Sequence, residues 1–236
     1  MPQTRISNKT QLYDHLKRSI LTLDLAPGAD LDETRLSEEF ALSRTPLRDV
    51  FRQLAGEGYL ELRENRGARV SNMSFQTLRD FFLVAPMIYS AIMRLAAQNA
   101  TAAQITELRA AQEVFKSALH SGNGAQRALA NNTFHLITGD MAHNVYLLPS
   151  FHRLLIDHCR IGRTFYGPND TTSDAAQAAA SAQHDAIIEA IAAQDAADAA
   201  RLADAHWALS RDRIEQFAMP NGLSAPLGEI LHMENT

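Results

Sequence analysis

Of the nine histidines in the 236-residue chain, three fall where they could share one metal ion. Asn131 and His135 are four residues apart on a predicted helix, so their side chains leave the same face. His184 stands eleven residues before Asp195, and His206 stands eleven after it. If the chain turns back at Asp195 into two antiparallel helices, equal spacing from the turn puts both imidazoles at one height, roughly 16 Å up at 1.5 Å per residue. Three imidazoles with an amide oxygen suit a divalent transition ion. Its affinity should fall as pH drops through the imidazole range near about 6.5. The other six, His15, His120, His143, His152, His158 and His232, read as hydrogen-bonded surface or core residues.

A second pattern suits DNA. Arg44, Arg48 and Arg52 are spaced i, i+4, i+8 and share one helical face, with Ser43 and Thr45 at its start. Leu47, Val50, Phe51 and Leu54 occupy the opposite face. A recognition helix needs this division, one side holding the domain and the other sending arginines to base edges and phosphates. Arg63, Arg66 and Arg69, a little further on, could add a minor-groove contact.

The elements that must position these residues can be read in turn. Leu12, Leu16, Ile20 and Leu23 mark a first helix, which Ala26-Pro27-Gly28 ends. Asp32 is an N-cap for a short helix through Phe40, and Ser43 one for the arginine-bearing helix, whose first turn accepts Pro46. After Gly56 and Gly58 the period changes. Tyr59–Leu62 and Ala68–Val70 read as a hairpin turning at Glu64–Gly67. Helix, helix, helix, hairpin is the order of a winged helix-turn-helix. From Ser74 strand signals stop, and helices are expected at 75–98, 102–118, 124–139, 148–165, 173–193 and 196–218. Thr101 with Gln104 forms a capping-box pair, and Asp195 with Asp198 opens the last helix. The fold class is therefore mainly α: residues 1–72 a winged helix-turn-helix, 73–219 an all-α antiparallel helical bundle, and 220–236 a tail.

Composition is that of an ordinary globular protein, 46% hydrophobic and 21% charged. The net charge of −5 argues against nucleic acid until it is divided along the chain. Residues 1–72 hold eleven basic and eleven acidic side chains, so the remaining 22 − 11 = 11 basic and 27 − 11 = 16 acidic ones carry the whole deficit. A neutral front part can still present a basic face if its charges are sorted. One cysteine, Cys159, cannot form an intrachain disulfide. No apolar run is read as reaching the length needed to cross a bilayer, the residues after Met1 lack the apolar core of a signal peptide, and the expected location is the cytoplasm.

The run from Leu36 to Arg48, followed by Leu54-Ala55-Gly56-Glu57-Gly58-Tyr59-Leu60 and Asn65-Arg66-Gly67-Ala68-Arg69-Val70, resembles the GntR family of regulators. That resemblance implies that Arg44, Thr45 and Arg48 contact an operator and that Gly67 sits at the wing tip. Ala41 stands where the family usually has glycine. Asn131-x-x-Phe134-His135, then His184-x-x-Ile187-x-x-Ala190-Ile191, Asp195 and His206, resembles the FCD type of ligand domain in the FadR branch of that family. It implies that zinc, nickel or a similar ion is bound inside the bundle and helps hold a small carboxylate effector. Asn131 replaces the family's Asp, and a neutral amide is a weaker cation ligand. Pro86 and Ser90 stand where an Arg and a Glu are usual, which leaves Arg160 and Arg163 as candidate effector partners.

Together these readings predict a transcription regulator acting as a repressor, with three partners: double-stranded operator DNA with an inverted repeat, a small-molecule effector of the organic-acid class, and a second copy forming a homodimer. Two alternatives stay open. One is a regulator binding an acyl or other apolar ligand without metal. The other is a metalloenzyme, against which stand the missing His-Glu-x-x-His pair and the lack of a carboxylate poised as a general base.

Overall fold

The computed structural model describes residues 7–64, 66–120, 123–165 and 171–218. The segment read as a tail, 220–236, lies outside them, as do Gly122 and the loop at Gly167–Asp170. The first module comprises α1 (Asn8–Leu21), α2 (Glu33–Glu39), α3 (Arg44–Glu57), β1 (Leu60–Arg63) and β2 (Gly67–Val70). The second comprises α4 (Phe75–Asn99), α5 (Ala102–His120), α6 (Gly124–Met141), α7 (Leu148–Phe165), α8 (Thr171–Ala192) and α9 (Ala196–Ala218).

Local chemistry accounts for the boundaries. Ser7 accepts a hydrogen bond from the Thr10 amide, so α1 begins earlier than its apolar spacing suggests. Asp32 caps α2 through the amides of Thr34 and Arg35. Ser43 stands at the N-cap of α3 but makes no capping bond, so its hydroxyl is not committed to the helix. Ala41, in the turn between α2 and α3, has φ +48°, a left-handed conformation in which glycine avoids a Cβ clash. Thr101 and Gln104 cap each other's amides at 3.3 and 3.0 Å.

β1 and β2 pair antiparallel, Leu60 opposite Val70 and Arg63 opposite Gly67. Leu12, Leu16, Ile20, Leu47, Val50, Leu54, Ala68 and Val70 close the core beneath this wing at 0% exposure. The same apolar cluster continues into the bundle through Phe115, Ala128, Ile156 and Cys159. The two modules thus share buried surface instead of hanging from a linker, and α7 packs on both α1 and α3.

One sequence expectation needs correction. α4 is 25 residues long and apolar enough to cross a membrane by length and composition. In the fold its Phe81, Ala85, Tyr89, Ile92, Met93 and Ala96 face the bundle interior, as in a core helix.

Candidate metal centre and DNA-binding face

α6, α8 and α9 bring His135, His184 and His206 together, one ligand nitrogen from each lying within 4.8 Å of the others. All three are buried. The capping carboxylate of Asp195, which accepts from the Asp198 amide at 2.9 Å, fixes the start of α9 and hence the height of His206.

Second partners set the ring tautomers. Gln112 donates its amide hydrogens to the carbonyl oxygen and the hydroxyl of Ser181 and to the Asp185 carboxylate. That orients its Oε1 toward His184, whose Nδ1–H donates to it at 3.1 Å. Gln183 Oε1 accepts from His206 Nδ1 at 2.9 Å. Each Nε2 is then unprotonated, and the two face each other at 3.3 Å. Two lone pairs at that distance repel unless a cation lies between them. Nitrogens bound to zinc at 2.0–2.1 Å with a tetrahedral angle lie about 3.3 Å apart. Neither ring nitrogen of His135 has a hydrogen-bond partner among the described residues, although both are buried. Phe134 stacks on the His184 ring at 3.8 Å and 5°, holding its plane. The residues present therefore fit a divalent ion, and Asn131 lies buried one turn earlier than His135 on α6.

Burial, reinforced by the neighbouring imidazoles, holds His135 and His184 well below the ordinary imidazole range. Burial alone pushes His206 down to about 4. The lone pairs are thus free at neutral pH, and proton competition for the folded site begins lower than the expected value near about 6.5. The unfolded chain takes up protons below about 6.5 where the folded one does not. The stability contributed is present above that pH and is lost as pH falls toward about 4, at about 1.4 kcal/mol per pH unit for each histidine held neutral. Urea midpoints of metal-free protein should therefore drop steeply between about pH 6.5 and 4.5. A flat midpoint over that range would contradict neutral burial.

The structure adds two residues that sequence reasoning missed. His158, on α7, is buried with its ring centroid 4.8 Å from that of His135. Tyr89, on α4, meets both rings at 5.5 and 5.4 Å. Its hydroxyl is paired with His158 Nδ1 at 2.5 Å. A signal existed: His158 falls on the stripe Phe151, Leu155, His158, where a titratable side chain is out of place. Pro86 and Ser90 instead line an outer groove beside Met87 and Asp204, and the inward pair spaced by four is Ala85 and Tyr89.

Arg160 is committed elsewhere. It is fully buried, and its guanidinium donates to the Ser71 hydroxyl, the Ser71 carbonyl and Asp157. Its place is the junction between wing and bundle, and its Nε has no hydrogen-bond partner among the described residues. Arg163 is half-buried, and its Nε has no hydrogen-bond partner among the described residues.

On α3, Ser43, Arg44, Thr45, Arg48 and Arg52 are all exposed, while Leu47, Val50, Phe51 and Leu54 are buried. Arg48 pairs with Glu33 at 3.4 Å and Arg52 with Asp49 at 2.9 Å. Exposed pairs of this kind are worth under about 1 kcal/mol, so a phosphate can displace them. Arg66 is exposed at the wing turn. Gly67 is the first residue of β2, with φ +75°, and a Cβ there would lie 2.8 Å from Glu33 Oε1. Arg63 and Arg69 instead hold Asp30 at 3.1 and 3.8 Å.

Residues 8–70 match the bacterial regulatory proteins of the gntR family, and residues 84–209 match the FCD domain. The chain belongs to the GntR family and carries an FCD domain. It is a DNA-binding transcriptional regulator, and the relatives it matches carry the names of transcriptional regulators. Over 154 residues it is 30% identical to a probable D-xylose utilization operon transcriptional repressor of Paenarthrobacter nicotinovorans, covering 65% of this chain and 68% of that protein. Over 98 residues it is 35% identical to the HTH-type transcriptional repressor RspR of Escherichia coli, 42% of this chain and 43% of that one. The solved structure of E. coli McbR/YncC shares the fold with a TM-score of 0.75 at 19% identity, over 90% of this GntR regulator and 99% of that chain.

Proposed function

We propose that this GntR regulator is a cytoplasmic repressor that binds an inverted-repeat operator as a homodimer. A small organic acid, bound beside a zinc or nickel ion at His135, His184 and His206, controls its operator affinity. The observation that carries the sensor reading is the pair of facing Nε2 atoms, 3.3 Å apart and each left unprotonated by its glutamine. Asn131 is at most a weak additional ligand. Arg163, whose Nε has no hydrogen-bond partner among the described residues, is the candidate for the effector carboxylate. The repressor reading is supported by relatives that carry that name. The homodimer is supported by Leu83, Val84 and Met87, an exposed apolar face on α4.

Coupling between the sites rests on a short path. α7 reaches Ser71 through Arg160, and Ser71 follows the wing directly. Such coupling is a free energy, typically about 1–3 kcal/mol, and it is reciprocal. Small carboxylates should be screened by thermal shift against zinc-loaded protein. Operator affinity should then be measured with and without each hit, on a duplex the protein selects from a random library. The expected change is about 5–150-fold. Hits that bind tightly yet leave operator affinity unchanged would make the bundle a dimerisation module instead of a sensor.

A further inference from the structure

We propose that His158 is a further ligand of the ion held by His135, His184 and His206, so that the centre is tied to the helix bearing the domain junction. The inference rests on the reading that those three histidines bind a divalent ion.

Ring spacing is the first support. An imidazole bound at 2.0–2.1 Å has its centroid about 3.2 Å from the ion, so neighbouring ligand rings stand about 4.5–5.3 Å apart for ligand angles of 90–109°. Around His135, the centroids of His158, His184 and His206 lie at 4.8, 5.3 and 5.5 Å. His184 and His206 are 4.7 Å apart. Of these three histidine rings His158 is the nearest to His135, whose two nitrogens have no hydrogen-bond partner among the described residues; it stands beside the three whose nitrogens lie within 4.8 Å of one another, so sharing their ion requires it to shift toward them.

The second support is how His158 is held. Tyr89 occupies its Nδ1, leaving Nε2 as the nitrogen available to an ion. A ligating imidazole characteristically gives its other N–H to an oxygen that fixes the ring; with an ion on Nε2 the ring proton would sit on Nδ1, and the Tyr89 hydroxyl is the oxygen placed to accept it. Burial keeps Tyr89 protonated, so the partner is a neutral hydroxyl that brings no charge to the centre.

Four neutral imidazoles make a nitrogen-rich, uncharged set. That set favours zinc, nickel, cobalt or copper and disfavours magnesium, calcium and manganese, which take oxygen ligands. α7 carries His158 next to Asp157 and two residues before Arg160, whose guanidinium holds Ser71. An ion that engages His158 therefore acts on the same helical turn that anchors the DNA-binding module.

Full-length protein stripped by chelation should be titrated with cobalt(II), reading its visible absorption, and with zinc in competition with a chromophoric chelator. Wild type should bind one ion per chain. H158A should lose about 10–100-fold in affinity and show a changed cobalt spectrum. H158Q, which keeps volume and a hydrogen-bonding group, should do the same and guards against misfolding, checked by circular dichroism. H152A, at an exposed position of the same helix, should match wild type. Y89F should weaken binding less than H158A and keep the wild-type spectrum, as suits a positioning residue. If H158A and H158Q retain wild-type affinity and spectrum, His158 is no ligand while the three-histidine reading stands. If wild type binds neither metal, both fall.

Discussion

Replacing Arg160 by alanine is expected to destabilise the protein by about 3–5 kcal/mol, because it strands a buried carboxylate. Asp157 is 4% exposed and its two oxygens are shared between Arg160 at 2.9 Å and Arg153 at 3.0 Å. Arg153 is itself 40% exposed and cannot replace a fully buried partner. Its stem also crosses Gly58 of the first module so closely that a Cβ there would lie 2.4 Å from its Cδ. The substitution further removes two donors from Ser71, whose residue is 4% exposed. Since one apolar cluster runs through both modules, the loss should appear in a single cooperative transition. For a chain of this size, each kcal/mol corresponds to about 2–4 °C in Tm. Urea and thermal unfolding of R160A would measure it. The double variant R160M/D157N, which removes both charges, should cost less than R160A alone. A loss below about 1 kcal/mol in R160A would mean that the junction is not held by this pair.

Much of the molecule was legible because the relevant signals are local. The arginine face of α3 lies opposite Leu47, Val50, Phe51 and Leu54, and that division is complete within one helix. His184 and His206 could be paired because their helices are joined by a single turn, so distance from Asp195 fixes relative height. What could not be read lies between elements remote in sequence. Tyr89 meets His158 across 69 residues, and Arg160 meets Ser71 across 89. Periodicity tells which face of α7 is buried, but not that one part of it closes on a histidine centre while another closes on the wing. The same limit hid the place of Arg160 at the junction and passed over Gln112 and Gln183, whose signature is a tertiary hydrogen bond. On α4 the shift from Pro86 and Ser90 to Ala85 and Tyr89 is one residue, enough to exchange an outer groove for the bundle interior.

If the exposed face of α3 reads DNA, removing its arginines should cause a selective loss. Arg44 and Arg48 stand one turn apart at the N-terminal end of that helix, the end that enters the major groove in helix-turn-helix proteins. A bidentate arginine contact to a base is worth about 1–3 kcal/mol of discrimination, roughly 5–150-fold in affinity. Neither side chain supports the core, and the Arg48–Glu33 pair is exposed, so removal should leave stability within about 0.5 kcal/mol. A contact made only to phosphate would instead weaken all sequences alike and reduce the salt slope by about 1. The deciding measurement is a fluorescence-anisotropy titration of wild type, R44A and R48A against a duplex selected by the wild-type protein and against a scrambled duplex of equal length. Both variants should bind the selected duplex more weakly by that factor while binding to the scrambled one changes little. If both bind the selected duplex as tightly as wild type, α3 is not the recognition helix.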